Sequence, residues 1–234
     1  MGAIYKKELR AYFTTPVGYI FIAALLLVSS VAFAFTTLQQ ATWNTTSYFT
    51  MMIFIFIIIV PILTMKSFSE ERRTKTEQML LTAPVSLTGM VMAKYLASMT
   101  MMTGVIAVTS IYFIPLYSYA EPETAILIGD LIALVLIGSA FVSIGILISS
   151  LTENQMAACV ITIITLLLFL VAGFANSYIE SYAIRAVFNW ISIFSRFGNF
   201  TNGIFDFGAV VYYASITLVA VFLTVRVYEK RRWG

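Results

Sequence analysis

Six long runs of mostly apolar residues dominate this sequence and limit what it can fold into. A helix needs about 20 apolar residues to cross the ~30 Å hydrocarbon core of a bilayer. Only 11% of the 234 residues are charged, whereas an ordinary soluble domain has about a quarter. The alternating strands of about ten residues that indicate a membrane β-barrel are absent from the pattern. The sequence therefore predicts an all-α polytopic membrane protein, with residues 1–234 forming a single transmembrane domain.

The apolar runs set the positions of six predicted transmembrane helices. We place these spans at residues 17–38, 48–65, 89–117, 125–151, 155–175 and 207–227. Pro61 and Pro115 lie near span ends, where the missing backbone N–H of proline can kink a helix.

Lysine and arginine are concentrated at one side of this arrangement. Twelve of the fourteen lie near the N-terminus, between the second span and the start of the third, or near the C-terminus. The other two, Arg185 and Arg196, precede the last span. Because basic residues accumulate on the cytoplasmic side of a membrane, we expect both termini and residues 66–88 to be cytoplasmic. The expected location is the inner, or plasma, membrane of a cell that we take to be bacterial.

Residues 1–16 are amphipathic and predict an interfacial helix that lies on the membrane surface. Four apolar side chains are expected to face the lipid: Ile4, Leu9, Tyr12 and Phe13. Three basic side chains are expected to face headgroups and water: Lys6, Lys7 and Arg10.

The loop at residues 66–88 contains the most charged stretch of the chain. Ser67 and Glu70 fit a capping box that opens a helix, and Thr74 and Glu77 fit a second one. Three apolar side chains follow the charges: Met79, Leu80 and Leu81. A solvated loop has no need of such an apolar patch, whereas a surface that docks another protein does.

Residues 176–206 are too apolar for a free outer loop, and polar residues interrupt them too often for a further span. Apolar side chains recur at three- and four-residue steps, which predicts an amphipathic helix. We interpret the segment as re-entrant or interfacial on the outer face, with Gly198 and Gly203 as breaks. A helix that is merely packed on the outer surface explains the pattern equally well.

The composition excludes several kinds of chemistry. The chain has no histidine and a single cysteine, Cys159, which excludes histidine-dependent catalysis, histidine metal ligands and an intrachain disulfide. No G-x-x-x-x-G-K-[ST] motif is present, so the chain does not bind ATP through a P-loop. We expect no catalytic residue, no metal site and no bound cofactor in this chain, and no nucleic-acid partner.

Three acidic residues, Asp130, Glu153 and Asp206, lie near predicted span ends, where we expect water to solvate them. An acidic residue inside a membrane is a functional candidate by default. An ion-coupled secondary transporter or channel therefore stays open as the alternative function, although it favours mid-span acids and discontinuous helices that are not evident. An intramembrane hydrolase would need a Ser-Lys or paired-Asp site, and no lysine lies mid-span.

Three stretches together resemble ABC-2-type transporter permeases over essentially the whole chain. "EERRTKTEQMLLTAPVS" followed by "AKYLASM" resembles the first cytoplasmic loop of that family. Many members read close to E-x-R-x-x-G-T-E-Q-L-L-L-T-A-P-V-S and then G-K-x-L. "YKKELRAYFTTPVGYIF" is similar to the family's amphipathic N-terminal helix, and the stretch from Phe194 to the basic C-terminus is similar to its last span. Lys75 and Ala93 stand where relatives often have glycine.

The resemblance implies a permease subunit of an ATP-driven ABC exporter, which forms the translocation path as a dimer. It implies that the charged loop is a coupling helix, docked on a separate cytoplasmic ABC ATPase that is present in two copies and binds ATP and Mg. The second permease chain is expected to be an identical copy, and an accessory membrane or extracytoplasmic subunit is compatible with the family. The docking residues implied are Glu70, Glu71, Arg72, Arg73, Thr76, Glu77, Gln78, Met79, Leu80 and Leu81.

The resemblance also implies that residues 176–206 form short helices at the outer mouth of the path. Apolar side chains there would close the path by excluding water. The gate side chains that we expect are Phe188, Trp190, Ile191, Phe194, Phe197 and Phe200.

Overall fold

A computed structural model describes residues 1–39, 45–78, 85–119, 123–175, 192–194 and 196–233. Over these ranges the chain is helical apart from short turns and extended residues, and it contains no strand. Six of the helices are long and apolar enough to cross a membrane. The predicted all-α fold with six spans is therefore confirmed.

The helices are numbered here in chain order. They are α1 (Gly2–Thr14), α2 (Pro16–Phe33), α3 (Thr46–Thr64), α4 (Lys66–Arg73), α5 (Leu87–Thr109), α6 (Leu116–Tyr119), α7 (Thr124–Leu151), α8 (Gln155–Ala175), α9 (Phe197–Thr201) and α10 (Phe207–Trp233). A π-helical turn, Ala34–Leu38, extends α2, and a 3-10 turn, Ser110–Phe113, extends α5. The six spans are α2, α3, α5, α7, α8 and α10.

Helix α10 is longer than the apolar run that predicted it at residues 207–227. It continues to Trp233, through a last turn that contains Lys230, Arg231 and Arg232. Lysine and arginine are good helix formers, and positive charge near a helix C-terminus is favourable for the helix dipole. The basic tail is therefore part of the last helix and reaches the other charged segments.

Helix α7 is the centre of the bundle and packs against α3, α4, α5, α8 and α10. Small residues make this possible, because they let neighbouring side chains approach the helix backbone. A Cβ at Gly138 would lie 2.1 Å from Met102 Cε, and a Cβ at Gly145 would lie 2.2 Å from Thr64 Oγ1. Gly138 and Gly145 therefore allow the close helix packing around α7.

Helix α1 lies against α5 and α2 rather than with its whole apolar side in lipid. Tyr12 is buried, and its hydroxyl is 2.8 Å from Ser98 Oγ in α5. Ile4 and Leu9 are half-buried against the same core, so of the four predicted lipid-facing residues only Phe13 is exposed. The prediction was wrong for Tyr12 because an apolar stripe on a helix fits a protein neighbour as well as it fits lipid.

The charged segments meet at one end of the bundle, which we call the basic end. There α1, α4, the start of α5, the C-terminus of α7 and the C-terminus of α10 are joined by side-chain contacts. The basic residues that these segments carry are Lys6, Lys7, Arg10, Lys66, Arg72, Arg73, Lys75, Lys94, Arg226, Lys230, Arg231 and Arg232.

Candidate functional site

The junction of α3 and α4 is held by a serine from α7. Met65 separates the two helices, and its carbonyl oxygen accepts a hydrogen bond from Ser149 Oγ at 3.0 Å. The same Ser149 hydroxyl accepts bonds from the backbone N–H groups of Phe68 at 3.1 Å and Ser69 at 3.2 Å. Helix α4 is thereby fixed to the last turn of α7.

This junction overturns the first capping-box prediction. Ser67 lies inside α4 rather than at its start, and no side chain of the helix caps its N-terminus. The first N–H groups of a helix need a partner, and here Ser149 supplies one from another helix. The second box fails as well, because Thr74 Oγ1 bonds to Glu70 O while the Glu77 carboxylate contacts Arg231.

A buried lysine joins three helices at the basic end. Lys94, in the second turn of α5, is only 2% exposed. Its ammonium lies 3.0 Å from Glu8 Oε1 in α1 and 2.9 Å from Glu71 Oε1 in α4. It also donates to Ser67 O at 2.7 Å and lies 5.0 Å from the centre of the Phe68 ring. Two carboxylates and a carbonyl thus compensate the loss of hydration that burial of the ammonium requires.

The apolar side of α4 is buried against α10. The ring centres of Phe68 and Tyr228 are 4.7 Å apart, and both side chains are almost completely buried. Together with Ser149, Lys94 and the chain connection to α3, this contact attaches α4 to four of the six spans.

Arginine side chains add two further connections around α4. Arg72 Nε lies 3.0 Å from Glu153 Oε1 in the turn between α7 and α8, and Arg72 also donates to Leu151 O at 2.9 Å. Arg231 of α10 lies 3.0 Å from Glu77 Oε1 and donates to Ser150 O. Both arginines bond to carbonyls of the last turn of α7, which lack partners within their own helix.

The predicted docking residues therefore divide into two groups. Glu71, Arg72 and Glu77 make ion pairs within the chain, and Glu70 lies 3.8 Å from Lys66. The outward group, Arg73, Thr76 and Gln78, is exposed. Met79, Leu80 and Leu81 lie outside the described residues. The docking role of the whole set stays a prediction.

The turn after α4 contains a residue in the left-handed conformation. Lys75 has φ +58°, the one positive φ at a non-glycine position in the described part of the chain. L-residues other than glycine rarely adopt this region, because the Cβ approaches the carbonyl oxygen. The glycine that similar loops carry at this position suits the geometry that Lys75 adopts here.

Buried Tyr12 connects α1, which carries the Glu8 partner of Lys94, to α3 and α5. Its hydroxyl contacts Ser98 Oγ and donates a long bond of 3.4 Å to Leu63 O. Burial raises the pKa of the Tyr12 phenol, with hydrogen bonding acting in the opposite direction. The phenol therefore stays neutral, and its hydroxyl links α1 to α3 and α5 by hydrogen bonds.

The predicted gate residues that the structure describes pack inside this chain. Phe197 and Phe200, in α9, are almost fully buried, and Phe194 is half-buried with its ring centre 5.8 Å from that of Phe54 in α3. Nearby, Tyr213 of α10 donates to Ile193 O at 2.8 Å. Phe188, Trp190 and Ile191 lie outside the described residues, so the gate stays a prediction.

Asp206 caps the last span at its start. Its Oδ1 accepts a bond from the Gly208 backbone N–H at 2.8 Å, and its Oδ2 accepts one from Asn199 Nδ2 at 2.8 Å. These donors, Asn199 first, lower the pKa of the Asp206 carboxyl. A structural role as the helix cap accounts for this aspartate.

Asp130 does not have the solvated position that its place near a span end predicts. The side chain is 0% exposed, and neither carboxylate oxygen has a hydrogen-bond partner within the described residues. Helix α9 packs on this part of α7, where a Cβ at Gly129 would lie 3.7 Å from Phe200 O. No cluster of three or more potential metal ligands occurs in the described ranges.

Sequence reasoning missed Lys94, Tyr12 and Arg231 as site residues. Lys94 was visible only as a basic residue inside "AKYL", and Arg231 only as part of a basic tail. The one available signal was the presence of a lysine near the start of an apolar span, since a buried cation requires acidic partners.

These features define a polytopic α-helical membrane protein in which a short charged helix at one end is attached to four of the six spans. A family model described as ABC-2 family transporter protein matches residues 9–229, which is nearly the whole chain. The chain therefore belongs to the ABC-2 transporter membrane family, as its sequence resemblance predicted. This supports a permease subunit of an ABC transporter. No curated protein matches the chain.

Proposed function

We propose that the chain is the membrane-spanning half of an ATP-driven exporter and that α4, with the residues that follow it up to Leu81, docks a separate ATPase. In this proposal two identical permease chains pair with two ATPase subunits, which bind ATP and Mg. The absence of a P-loop motif from the sequence supports ATP binding and hydrolysis by a separate subunit.

The observation that carries the proposal is the two-sided character of α4. Its inner side is fixed to spans by Ser149, Lys94 and the Phe68 ring. Its outer side, with the turn that follows, exposes Arg73 and Lys75. Because packed protein interiors deform little, a force applied to the outer side would displace the attached span ends rather than dissipate within the helix.

The distribution of basic residues supports an orientation with the basic end in the cytoplasm, where an ATPase has access to ATP. Cysteine labelling tests it, since the native Cys159 is buried. A cysteine at exposed Thr74 should react with an impermeant reagent only from the cytoplasmic side. One at exposed Asn202, at the opposite end, should react only from outside. Labelling of Thr74 from outside would overturn the orientation.

The docking proposal is tested by co-purification with candidate ABC ATPases from the same organism, and by the ATPase rate of the complex. We expect Arg73→Glu with Lys75→Glu to weaken association or to separate ATP hydrolysis from transport. Lys230→Glu with Arg232→Glu is the matched control, because it reverses two exposed charges at the same end but outside α4. An α4 variant that binds the ATPase and transports as the control does would refute docking at this surface.

The dimer has support from an exposed apolar face shared by α3 and α8. Met51, Phe54 and Ile58 form an exposed stripe on α3, which is otherwise mostly buried. Helix α8, which packs beside α3, exposes most of its length. Disulfide crosslinking between copies, with cysteine at Ile58, tests whether this face meets a second chain. Absence of crosslinking in every nucleotide state would place the dimer contact elsewhere.

The ion-coupled alternative has one supporting observation, the buried carboxyl of Asp130, which has no hydrogen-bond partner in the part of the chain that the structure describes. Transport assays in vesicles distinguish the two functions. An exporter of the proposed kind needs ATP and continues when ion gradients are collapsed, whereas an ion-coupled transporter stops under that condition.

A further inference from the structure

A groove on the outer side of α1 carries only positive charge. It has a volume of about 450 Å³ and is lined by Lys6, Lys7, Arg10, Ala11 and Thr14. Lys6 and Arg10 are exposed and have no acidic partner within the described residues. Since they are four residues apart on a helix, their like charges repel, and a bound anion would remove that repulsion.

A neighbouring cavity on the inner side of α1 shows the opposite balance. It has a volume of about 350 Å³ and is lined by three lysines and three glutamates: Lys7, Lys66, Lys94, Glu8, Glu70 and Glu71. The charges there offset one another within the protein. The acidic residue of α1, Glu8, thus faces the bundle, and the helix leaves its uncompensated cations on the outer groove.

The position of the groove favours a lipid over a soluble anion. Helix α1 is followed directly by span α2, which begins at Pro16, so α1 lies where the span enters the membrane. Phe13, which is 49% exposed, shares a helix face with Lys6 and Arg10 because it is seven and three residues from them. An exposed aromatic ring beside unpaired cations matches a ligand with an acyl chain and an anionic headgroup.

We propose that this groove binds the headgroup of an anionic phospholipid, with its phosphate between Lys6 and Arg10 and an acyl chain along Phe13. The Arg10 guanidinium suits a phosphate because it can donate two parallel hydrogen bonds. The site is independent of the ATPase docking proposed above. It lies close to the ion pair between Lys94 and Glu71, because Lys7 lines the groove and also lies 3.5 Å from Glu71.

The test measures retention of phosphatidylglycerol and phosphatidylcholine by the purified full chain, using native mass spectrometry, together with the protection each lipid gives against thermal unfolding. We expect preferential retention of phosphatidylglycerol. Lys6→Gln with Arg10→Gln should lower its affinity at least about tenfold, since each basic residue near a membrane surface contributes to attraction of anionic lipid. Lys230→Gln with Arg232→Gln, an equal charge change at the same end, should keep wild-type affinity.

Three results would overturn the proposal. The first is equal lipid retention by the groove variant and the control variant. The second is equal retention of phosphatidylglycerol and phosphatidylcholine by the wild type. The third is equal protection by soluble glycerol phosphate, which would identify a site for free phosphate. Phe13→Ser further distinguishes a phospholipid headgroup from a free phosphate as the ligand. It should weaken lipid retention and leave any effect of glycerol phosphate unchanged.

Discussion

Replacement of the buried lysine Lys94 by methionine tests the connection between α1, α4 and α5. The substitution keeps a long side chain in the space but removes the positive charge between Glu8 and Glu71. Their side chains are each 14% exposed, so water can solvate the two carboxylates only in part. Ser67 O also loses the bond that it accepts from the ammonium.

The expected destabilisation is about 3 kcal/mol, the lower end of the range for removing one partner from a buried ion pair. The lower end applies because Lys7 lies 3.5 Å from Glu71 and 3.8 Å from Glu8, and its exposed side chain can move towards both. A surface ion pair would instead contribute only ~0–1 kcal/mol.

The assay is unfolding of the purified chain in detergent, followed by tryptophan fluorescence or by the reactivity of buried Cys159. A triple variant, Lys94→Met with Glu8→Gln and Glu71→Gln, is the control for charge. It should recover most of the lost stability, because it removes the two uncompensated carboxylates together with the lysine. A loss below about 1 kcal/mol for Lys94→Met, or no recovery in the triple variant, would refute the assignment of Lys94 as a buried ionic joint.

Three further predictions concern single positions. Lys75→Gly should match or exceed wild-type stability, by up to about 1 kcal/mol, because glycine adopts positive φ without the Cβ penalty, and Lys75→Ala should give no such gain in the same unfolding assay. Gly145→Ala should destabilise by about 1–3 kcal/mol, since the new Cβ would meet Thr64 Oγ1, whereas Gly104→Ala, with nothing within 4 Å, should be neutral or stabilising. Asp130→Asn should raise the unfolding temperature, because an unpaired carboxylate is costlier to bury than an amide, and a lower unfolding temperature would indicate a partner that stabilises the charge.

The spans could be predicted from the sequence because bilayer thickness imposes a length on apolar runs. That constraint is local, so a single run of residues carries it. The extent of α10 was harder to predict, because its basic last turns are polar and contribute nothing to the apolar signal. The family could also be recognised from the sequence, because the loop from Glu70 to Ser86 resembles the first cytoplasmic loop of ABC-2-type permeases at most positions.

The ion pairs that join different segments at the basic end could not be predicted, because each one forms between residues that are distant in sequence. Lys94 pairs with Glu8, 86 residues away, and Arg231 pairs with Glu77, 154 residues away. Charge and spacing show that such residues exist but do not show which ones meet. The two capping boxes failed for a related reason. Ser149 from another helix supplied the partner at the first box, and at the second the Glu77 carboxylate pairs with distant Arg231.

The burial of Asp130 and Tyr12 was hidden for a different reason. Hydropathy and periodicity locate a residue along a helix and around its axis, but they do not identify what covers that face. In both cases another part of the chain packs nearby: α9 on the start of α7, and α5 beside α1. For a membrane protein this ambiguity is severe, because lipid and protein interior are both apolar.

The joints around α4 differ in how much free energy is needed to break them. The Lys94 joint is buried, and loss of one partner there costs about 3–5 kcal/mol. The Arg72–Glu153 pair is far more accessible, with the Glu153 side chain 63% exposed, and such pairs contribute ~0–1 kcal/mol. The Arg231–Glu77 pair, with side chains 23% and 12% exposed, lies between these extremes. Of these three ion pairs, the pair with the turn before α8 is therefore the least costly to break and the Lys94 contacts are the most costly. Under the proposed function, a force on α4 would carry α1 and α5 with it and would break the ion pair with the turn that leads into the fifth span first.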